Sequence, residues 1–234
     1  MAISSKRTEN WPSAIVFDLD GTLVDSSGDI AAALNELLSI NRLPPFSVEE
    51  VIDFIGDGVS ALVKRAFVAR GWSPNADELS AHLVMFRAIY GERLTRLTRA
   101  YDGCLDLLSS LKGRGIDLGI CTNKEENLAR GVIDGLGLRE CFRAVVGGTP
   151  GRPAKPSPAP LLETIARLGV CPEEAIMVGD SAADLFCARN SDVAFIGVTF
   201  GYSRPPMSEL GAEITIGNYS EFEAACCSLW ERRP

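Results

Sequence analysis

The sequence predicts an α/β fold: a Rossmann-like, three-layer core on a parallel sheet, interrupted by an inserted all-helical segment. Three observations predict it. From residue 101 onward, short apolar runs rich in β-formers alternate with helix-period segments, the pattern of parallel strands joined by right-handed crossovers. One such run, Ala14-Ile15-Val16-Phe17, stands alone near the start. Between the two, from Ser27 to Arg99, apolar residues recur at helical spacing and no convincing strand is found.

Each element has a local reason. Residues 14–17 form a continuous apolar run ending at a turn signal, which reads as a fully buried strand. In residues 30–40 the positions Ile30, Ala33, Leu34, Leu37 and Leu38 line one helical face, and Pro44-Pro45 ends the helix. Ser47 and Glu50 form a capping-box signature for a short helix over 48–54. Gly56-Asp57-Gly58 turns the chain into an amphipathic segment over 59–70, and the longest helix follows over 77–95. The alternation then gives a helix over 102–112, a strand over 116–121, a helix over 125–136 and a strand over 142–146. A Gly/Pro loop over 147–153 leads to Lys155-Pro156 and a helix over 157–168. A strand over 175–178 ends in Gly179-Asp180 and is followed by a helix over 182–190 and a strand over 193–198. A last short strand over 213–216 and a closing helix over 219–230 complete the chain.

Composition narrows the function. With 234 residues, 46% hydrophobic and 23% charged, the chain is an ordinary globular protein with room for one large domain or two smaller ones. A formal charge of −8 weighs against nucleic acid or an anionic membrane surface as partner. It leaves room for a phosphorylated metabolite, because a bound metal and one or two lysines reverse the field inside a pocket. The seven cysteines include no Cys-x-x-Cys pair, and the single histidine, His82, is remote from them in sequence, so they read as buried small hydrophobes in a reducing compartment. Cys121 has no nearby base to activate it, and His82 reads as a satisfied helix residue. No apolar signal core precedes Trp11 and no run of about 18 apolar residues occurs, so the expected location is cytoplasmic.

The polar residues that carry chemistry recur at one structural position, the carboxyl end of a strand, where open α/β sheets bind ligands. Asp18 and Asp20 follow the first strand, Thr122-Asn123 the second, Lys155 lies in a later loop, and Asp180, Ser181 and Asp184 follow the strand over 175–178. Alone, each has a plain reading: a loop acid, a helix cap, a solvated lysine, a turn. Together on one sheet edge they form a metal and anion site. A partly buried carboxylate pair such as Asp18 and Asp20 repels itself unless a cation or a shared proton neutralises it, so a divalent metal is expected.

With these residues assembled, the chain resembles the haloacid-dehalogenase-like phosphatases. That superfamily's four motifs are present in order: Asp18-x-Asp20-Gly21-Thr22, Thr122 after a strand, Lys155-Pro156, and Gly179-Asp180-Ser181-x-x-Asp184. The helical insert falls where that family carries a small helical cap, which sets a core over 12–26 and 100–234 and a cap domain over 27–99. The chain is similar to the phosphoglycolate phosphatase branch at Asp25-Ser26, Gly56-Asp57-Gly58, Thr122-Asn123-Lys124, residues 155–162 and residues 197–202. It departs at Thr149, where the branch often has an acid, and at Ala183, where Asn is frequent; neither change removes a group the chemistry requires.

The resemblance implies a Mg²⁺-dependent phosphatase acting through an aspartyl-phosphate, with 2-phosphoglycolate the first-choice substrate. A sugar phosphatase, a pyrophosphatase, a phosphoglucomutase and a phospho-ligand binding module without turnover stand as alternatives. Asp18 is then the nucleophile and Asp20 the proton donor and acceptor. Asp18, the backbone carbonyl of Asp20, and Asp180 hold the metal. Thr122, the Asn123 backbone N–H and Lys155 hold phosphate oxygens and neutralise charge. Ser181 belongs to the fourth motif as a supporting residue, and Asp184 orients Lys155 or a metal-bound water, or is a helix-surface acid. The cap hinges near residues 26–28 and 98–100. Gly56, Asp57 and Gly58 face substrate, or form a plain interhelical turn, and Arg65 is a candidate for the substrate's carboxylate. The oligomeric state is left open.

Overall fold

The computed structural model describes residues 11–232; the polar stretch before Trp11 lies outside them. In chain order the elements are β1 (Ala14–Phe17), β2 (Val24–Asp25), α1 (Ser27–Ile40), α2 (Val48–Ile52), α3 (Val59–Ala69), α4 (Ala76–Gly91) and β3 (Arg99–Ala100). Then follow α5 (Cys104–Gly113), β4 (Asp117–Glu125), α6 (Glu126–Gly135), β5 (Ala144–Gly148), α7 (Ala159–Leu168), β6 (Ala175–Gly179) and α8 (Ala182–Asn190). β7 (Ala194–Val198), β8 (Thr215–Ile216) and α9 (Phe222–Glu231) complete the chain.

The sheet has the order β5-β4-β1-β6-β7-β8, and every neighbouring pair is parallel. β1 lies inside it, bonded to β4 on one side and β6 on the other. Successive side chains of a strand point to opposite faces. Ile15 and Phe17 therefore enter one core, shared with Leu108 of α5, Val132 of α6 and Phe222 of α9, while Ala14 and Val16 enter a second, shared with Leu161 of α7 and Leu185 of α8. Those two cores make the three layers. The chain runs outward from β1 through β4 and β5, then returns to β1's other side with β6. That reversal puts a crevice at the carboxyl end of β1.

Helices α1 to α4 gather around a separate apolar cluster that includes Leu34, Val63, Phe67, Phe86 and Tyr90. The Ser47–Glu50 capping box forms at α2, and Asn75 with Glu78 makes a second one at α4. Two short strands escape sequence reading. β2 and β3 pair antiparallel where the insert leaves and rejoins the core, Val24 opposite Ala100 and Asp25 opposite Arg99; a two-residue strand has no period to detect. Behind that pairing, buried Asp29 accepts hydrogen bonds from Leu97 N (2.9 Å), Thr98 N (2.8 Å) and Thr98 Oγ1 (2.7 Å). The strand expected to stop at Cys121 runs on to Glu125, with a register shift against β5 between those residues.

His82 corrects another expectation. It lies on α4 with its ring stacked on Phe67 (centroids 4.2 Å apart) and edge-on to Trp72, yet its Nε2 has no hydrogen-bond partner. Ring packing holds it there, with no Nε2 partner among the described residues. Burial lowers its pKa below the ordinary 6.5, against a smaller opposing effect of Glu78. The unfolded chain thus takes up a proton near pH 6.5 that the folded chain resists, and folding stability falls as pH drops below that value. Thermal melts of wild type and His82→Phe at pH 7.5 and 5.5 check this. The wild type loses more melting temperature between the two pH values than the variant does.

Candidate active site

The end of β1 delivers Asp18 into the crevice as a buried carboxylate. The chain then turns at Gly21, which has φ +86° and sits so close to the Asp180 carboxylate that a Cβ would collide with it. Only glycine suits that turn. β6 ends beside it at Gly179, so Asp180 and Asp184 arrive from the neighbouring strand and from the first turn of α8. Oxygens of Asp18, Asp180 and Asp184 all lie within 4.8 Å of one another.

Lys155 reaches this cluster from the loop before α7. Its Nζ donates to Asp18 Oδ1 (2.7 Å), Asp184 Oδ1 (2.5 Å) and the Cys121 carbonyl (2.9 Å). Asp184 Oδ2 accepts from Ser181 N (3.0 Å) and Ser181 Oγ (2.6 Å), closing the cap of α8. Asp184 is therefore no surface acid: it is fully buried and orients Lys155. Among the described residues Asp180 has no lysine or arginine in contact; it accepts from Thr22 Oγ1 (3.1 Å) and Tyr202 N (2.7 Å). Burial, with Asp184 and Asp18 nearby, pushes its pKa well above the usual carboxylate range. Burial likewise raises Asp18 to about 6, with Lys155 opposing and Asp184 and Asp20 adding to the rise.

Asp20 is turned elsewhere. Its carboxylate accepts from Ser26 Oγ (2.6 Å) and pairs with Lys124 Nζ, 3.0 Å from both oxygens. It stands outside the cluster of Asp18, Asp180 and Asp184. The site thus holds buried Asp18, Asp180 and Asp184 and half-buried Asp20 against Lys124 and Lys155, an excess of carboxylates that an oxygen-seeking divalent cation fits. Thr122 is buried beside them and accepts from Lys124 N (3.2 Å), which leaves its hydroxyl proton to donate.

Three consecutive residues of β4 grip the helical insert. Asn123 Nδ2 donates to the Gly56 carbonyl (3.0 Å), Lys124 Nζ to Tyr90 Oη (2.7 Å), and Glu125 accepts a bidentate pair from Arg87 (2.7–2.9 Å). Asn123 also bonds Lys155 through both ends of its amide, Nδ2 to the carbonyl and Oδ1 to the N–H. Between insert and sheet lies a cavity of about 470 Å³, lined by Asp18, Asp20, Thr122, Asn123, Asp180 and the loop Gly56, Asp57, Gly58. Gly58 has φ +84° and a Cβ there would stand 3.1 Å from the Asn123 carbonyl.

Some expectations need correction and some residues were missed. Arg65 does not line the cavity; it is paired with Asp57. Cys121 is buried, and its hydrogen bond with Cys187 together with burial holds the thiol well above its ordinary range, so it is no thiolate. Sequence reasoning assigned no role to Lys124, Tyr90 or Tyr202. Tyr202 Oη accepts from Ser26 N (2.8 Å) and Ser27 N (3.0 Å) and donates to Asp25 Oδ1 (2.7 Å), tying the start of the insert to the loop that holds Asp180. For Lys124 the available signal was its place directly after Thr122-Asn123 at a strand end.

A buried carboxylate cluster, two lysine ammonium groups and a hydroxyl at the ends of parallel strands, under a helical insert, define an acid-rich, anion-handling site on a Rossmann-like core. The profile of the haloacid dehalogenase-like hydrolases matches residues 15–198, and the chain belongs to that family. It is similar to phosphoglycolate phosphatases from Rhodospirillum rubrum (42% identical over 205 residues, 86% of this chain and 85% of that protein) and Caulobacter vibrioides (36% over 215 residues, 92% and 91%). Among solved structures it matches a predicted phosphoglycolate phosphatase from Haemophilus somnus with a TM-score of 0.87 and 29% identity, covering 93% of this chain and 99% of that one. Among the described residues no helix is long and apolar enough to cross a membrane.

Removing Lys155 leaves Asp18 and Asp184 buried without their cation. Lys155→Met is expected to lower unfolding free energy by about 3–5 kcal/mol at neutral pH without added metal. Urea denaturation measures it, and adding Asp184→Leu recovers part of the loss.

Proposed function

We propose that this protein is a Mg²⁺-dependent phosphatase that hydrolyses 2-phosphoglycolate to glycolate and phosphate through an aspartyl-phosphate on Asp18. The observation that carries the reading is the buried Asp18 carboxylate, held by Lys155 beside Asp180 and Asp184 and opening onto a cavity under the helical insert. The family membership and the names of the similar proteins support the reaction class and the substrate.

Asp18, Asp180 and the Asp20 carbonyl are the proposed metal donors, with Asp184 beside them. When bound, Mg²⁺ supplies positive charge that offsets the repulsion between the substrate's phosphate and the surrounding carboxylates. One oxygen of Asp18 attacks phosphorus, and the ester oxygen leaves with a proton from Asp20. Asp20 then takes a proton from water, the water oxygen attacks the same phosphorus, and Asp18 is released as a carboxylate. Thr122 Oγ1–H and the Asn123 N–H hold the equatorial oxygens, and Lys155 balances charge on the nucleophile. Ser181 and Asp184 keep Lys155 in place.

In this reading residues 12–26 and 100–234 are the catalytic core and 27–99 a cap domain that excludes water while the loop Gly56, Asp57, Gly58 closes on substrate. Ile30, Ile52, Ile55, Leu62 and Phe86 make up much of the cap's side of the cavity, with Asp53, Asp57 and Tyr90 as its polar side chains. The proposed partner is a small phosphorylated metabolite, with neither nucleic acid nor membrane, in the cytoplasm.

Phosphate release from 2-phosphoglycolate and a panel of sugar phosphates, with and without EDTA, tests the proposal. The expected result is release from 2-phosphoglycolate that EDTA abolishes; equal or faster release from the sugar phosphates would sink the substrate assignment. Asp18→Asn is expected to show no turnover. Asp20→Asn is expected to lose roughly 10²–10⁴-fold in kcat. In the latter variant Mg²⁺ still raises the melting temperature, because that substitution spares the metal-binding carboxylates.

A further inference from the structure

The proposed substrate carries a second anion, and the cavity has to read it. In a phosphorylated two-carbon acid, the carbon that bears the ester oxygen also bears the carboxylate. If Asp20 protonates that ester oxygen, the carboxylate lies within a few ångströms of Asp20.

Few groups there could receive it. The cap wall offers Ile55, Leu62 and Phe86, and the acids Asp53 and Asp57 would repel it. Lys155 is not among the lining residues. Arg204 also lines the cavity, but it is largely exposed and 3.4 Å from Asp53, so of the two remaining cations it is the weaker. The other is Lys124. It lines the cavity, is 6% exposed, and sits 3.0 Å from both oxygens of Asp20. Burial alone would depress its ammonium, but Asp20 and Tyr90 outweigh burial and keep it charged.

Tyr90 completes the pair. Lys124 Nζ donates to Tyr90 Oη at 2.7 Å, so the phenol oxygen is the acceptor and its own hydrogen remains free to donate. Tyr90 is almost wholly buried and lines the same cavity, and among the described residues no acceptor for that hydrogen is found. A buried donor without an acceptor costs free energy unless a ligand supplies one.

We infer that Lys124 and Tyr90 form the subsite for the leaving group's carboxylate, which makes the enzyme selective for short 2-phosphooxy carboxylates. This rests on the phosphatase reading above. The ammonium supplies the charge, the phenolic O–H supplies direction, and Tyr90 belongs to the insert, so the subsite is complete only when insert and core meet. A phosphoester without the carboxylate leaves the Tyr90 O–H unanswered and the Lys124 ammonium paired with Asp20 alone for charge.

The test compares kcat/KM for 2-phosphoglycolate and ethyl phosphate, equal in chain length but lacking the carboxylate, in wild type, Lys124→Met, Lys124→Arg and Tyr90→Phe. The wild type is expected to prefer 2-phosphoglycolate. That preference ratio should fall about tenfold or more in Lys124→Met and about threefold or more in Tyr90→Phe, with Lys124→Arg recovering part of it. Lys124 also positions Asp20, so absolute rates fall with both substrates in Lys124→Met, and only the ratio is diagnostic. Tyr90→Phe keeps the ring and the lysine, which guards against a folding defect. If both substrates lose activity by the same factor in both variants, Lys124 and Tyr90 only position Asp20 and the inference is overturned while the phosphatase reading stands. If the wild type hydrolyses both with no preference, the inference and the choice of 2-phosphoglycolate fall while the phosphatase chemistry stands; if it hydrolyses neither, the phosphatase reading falls.

Discussion

Too many carboxylates share one buried space, and the rest of the molecule is arranged around that constraint. Asp18, Asp20, Asp180 and Asp184 converge on one crevice, and each is managed by different means. Lys155 bridges Asp18 and Asp184, Lys124 takes Asp20, and Asp180 has, among the described residues, a hydroxyl and a backbone N–H. Like charges in a low-dielectric site repel strongly. The parallel sheet makes the arrangement possible, because the reversal of strand order at β1 brings residues far apart in sequence to one edge.

β4 joins this electrostatic problem to the helical insert. Its register breaks after Cys121, and the following residues take on separate tasks. Thr122 faces the crevice, while Asn123, Lys124 and Glu125 each hold a different part of the insert. Asn123 and Lys124 also hold Lys155 and Asp20 respectively, so the contacts that seat the insert are the ones that fix the charged groups below it. Tyr202 makes a second such link between the acid cluster and the beginning of α1.

What could be read from the sequence follows from what each feature depends on. The sheet, its alternation with helices and the position of the insert rest on local apolar periodicity, and they were legible. So were Asp18, Asp180 and Lys155 as candidates, because each stands just beyond an apolar run or in a loop that must return to the same edge. Lys124 was not. A lysine after Thr-Asn reads as solvated, and its burial depends on Tyr90 approaching from a helix 34 residues earlier in the chain. Arg65 misled for the converse reason: its charge was visible, its pairing with Asp57 was not. For His82 the helical face was clear, but the missing hydrogen-bond partner is a property of the packed neighbourhood alone.

The pairing of β2 with β3, locked behind by Asp29, has a consequence for how such a protein can change. Because both ends of the helical segment are joined to each other before either meets the sheet, the segment behaves as a side branch with a fixed stalk. Residues can be gained, lost or exchanged beyond the stalk without disturbing the spacing of β1 and β4. The part of the insert away from β4 is thereby free to vary, whereas Gly56 and Tyr90, which Asn123 and Lys124 hold, remain tied to the charged groups below.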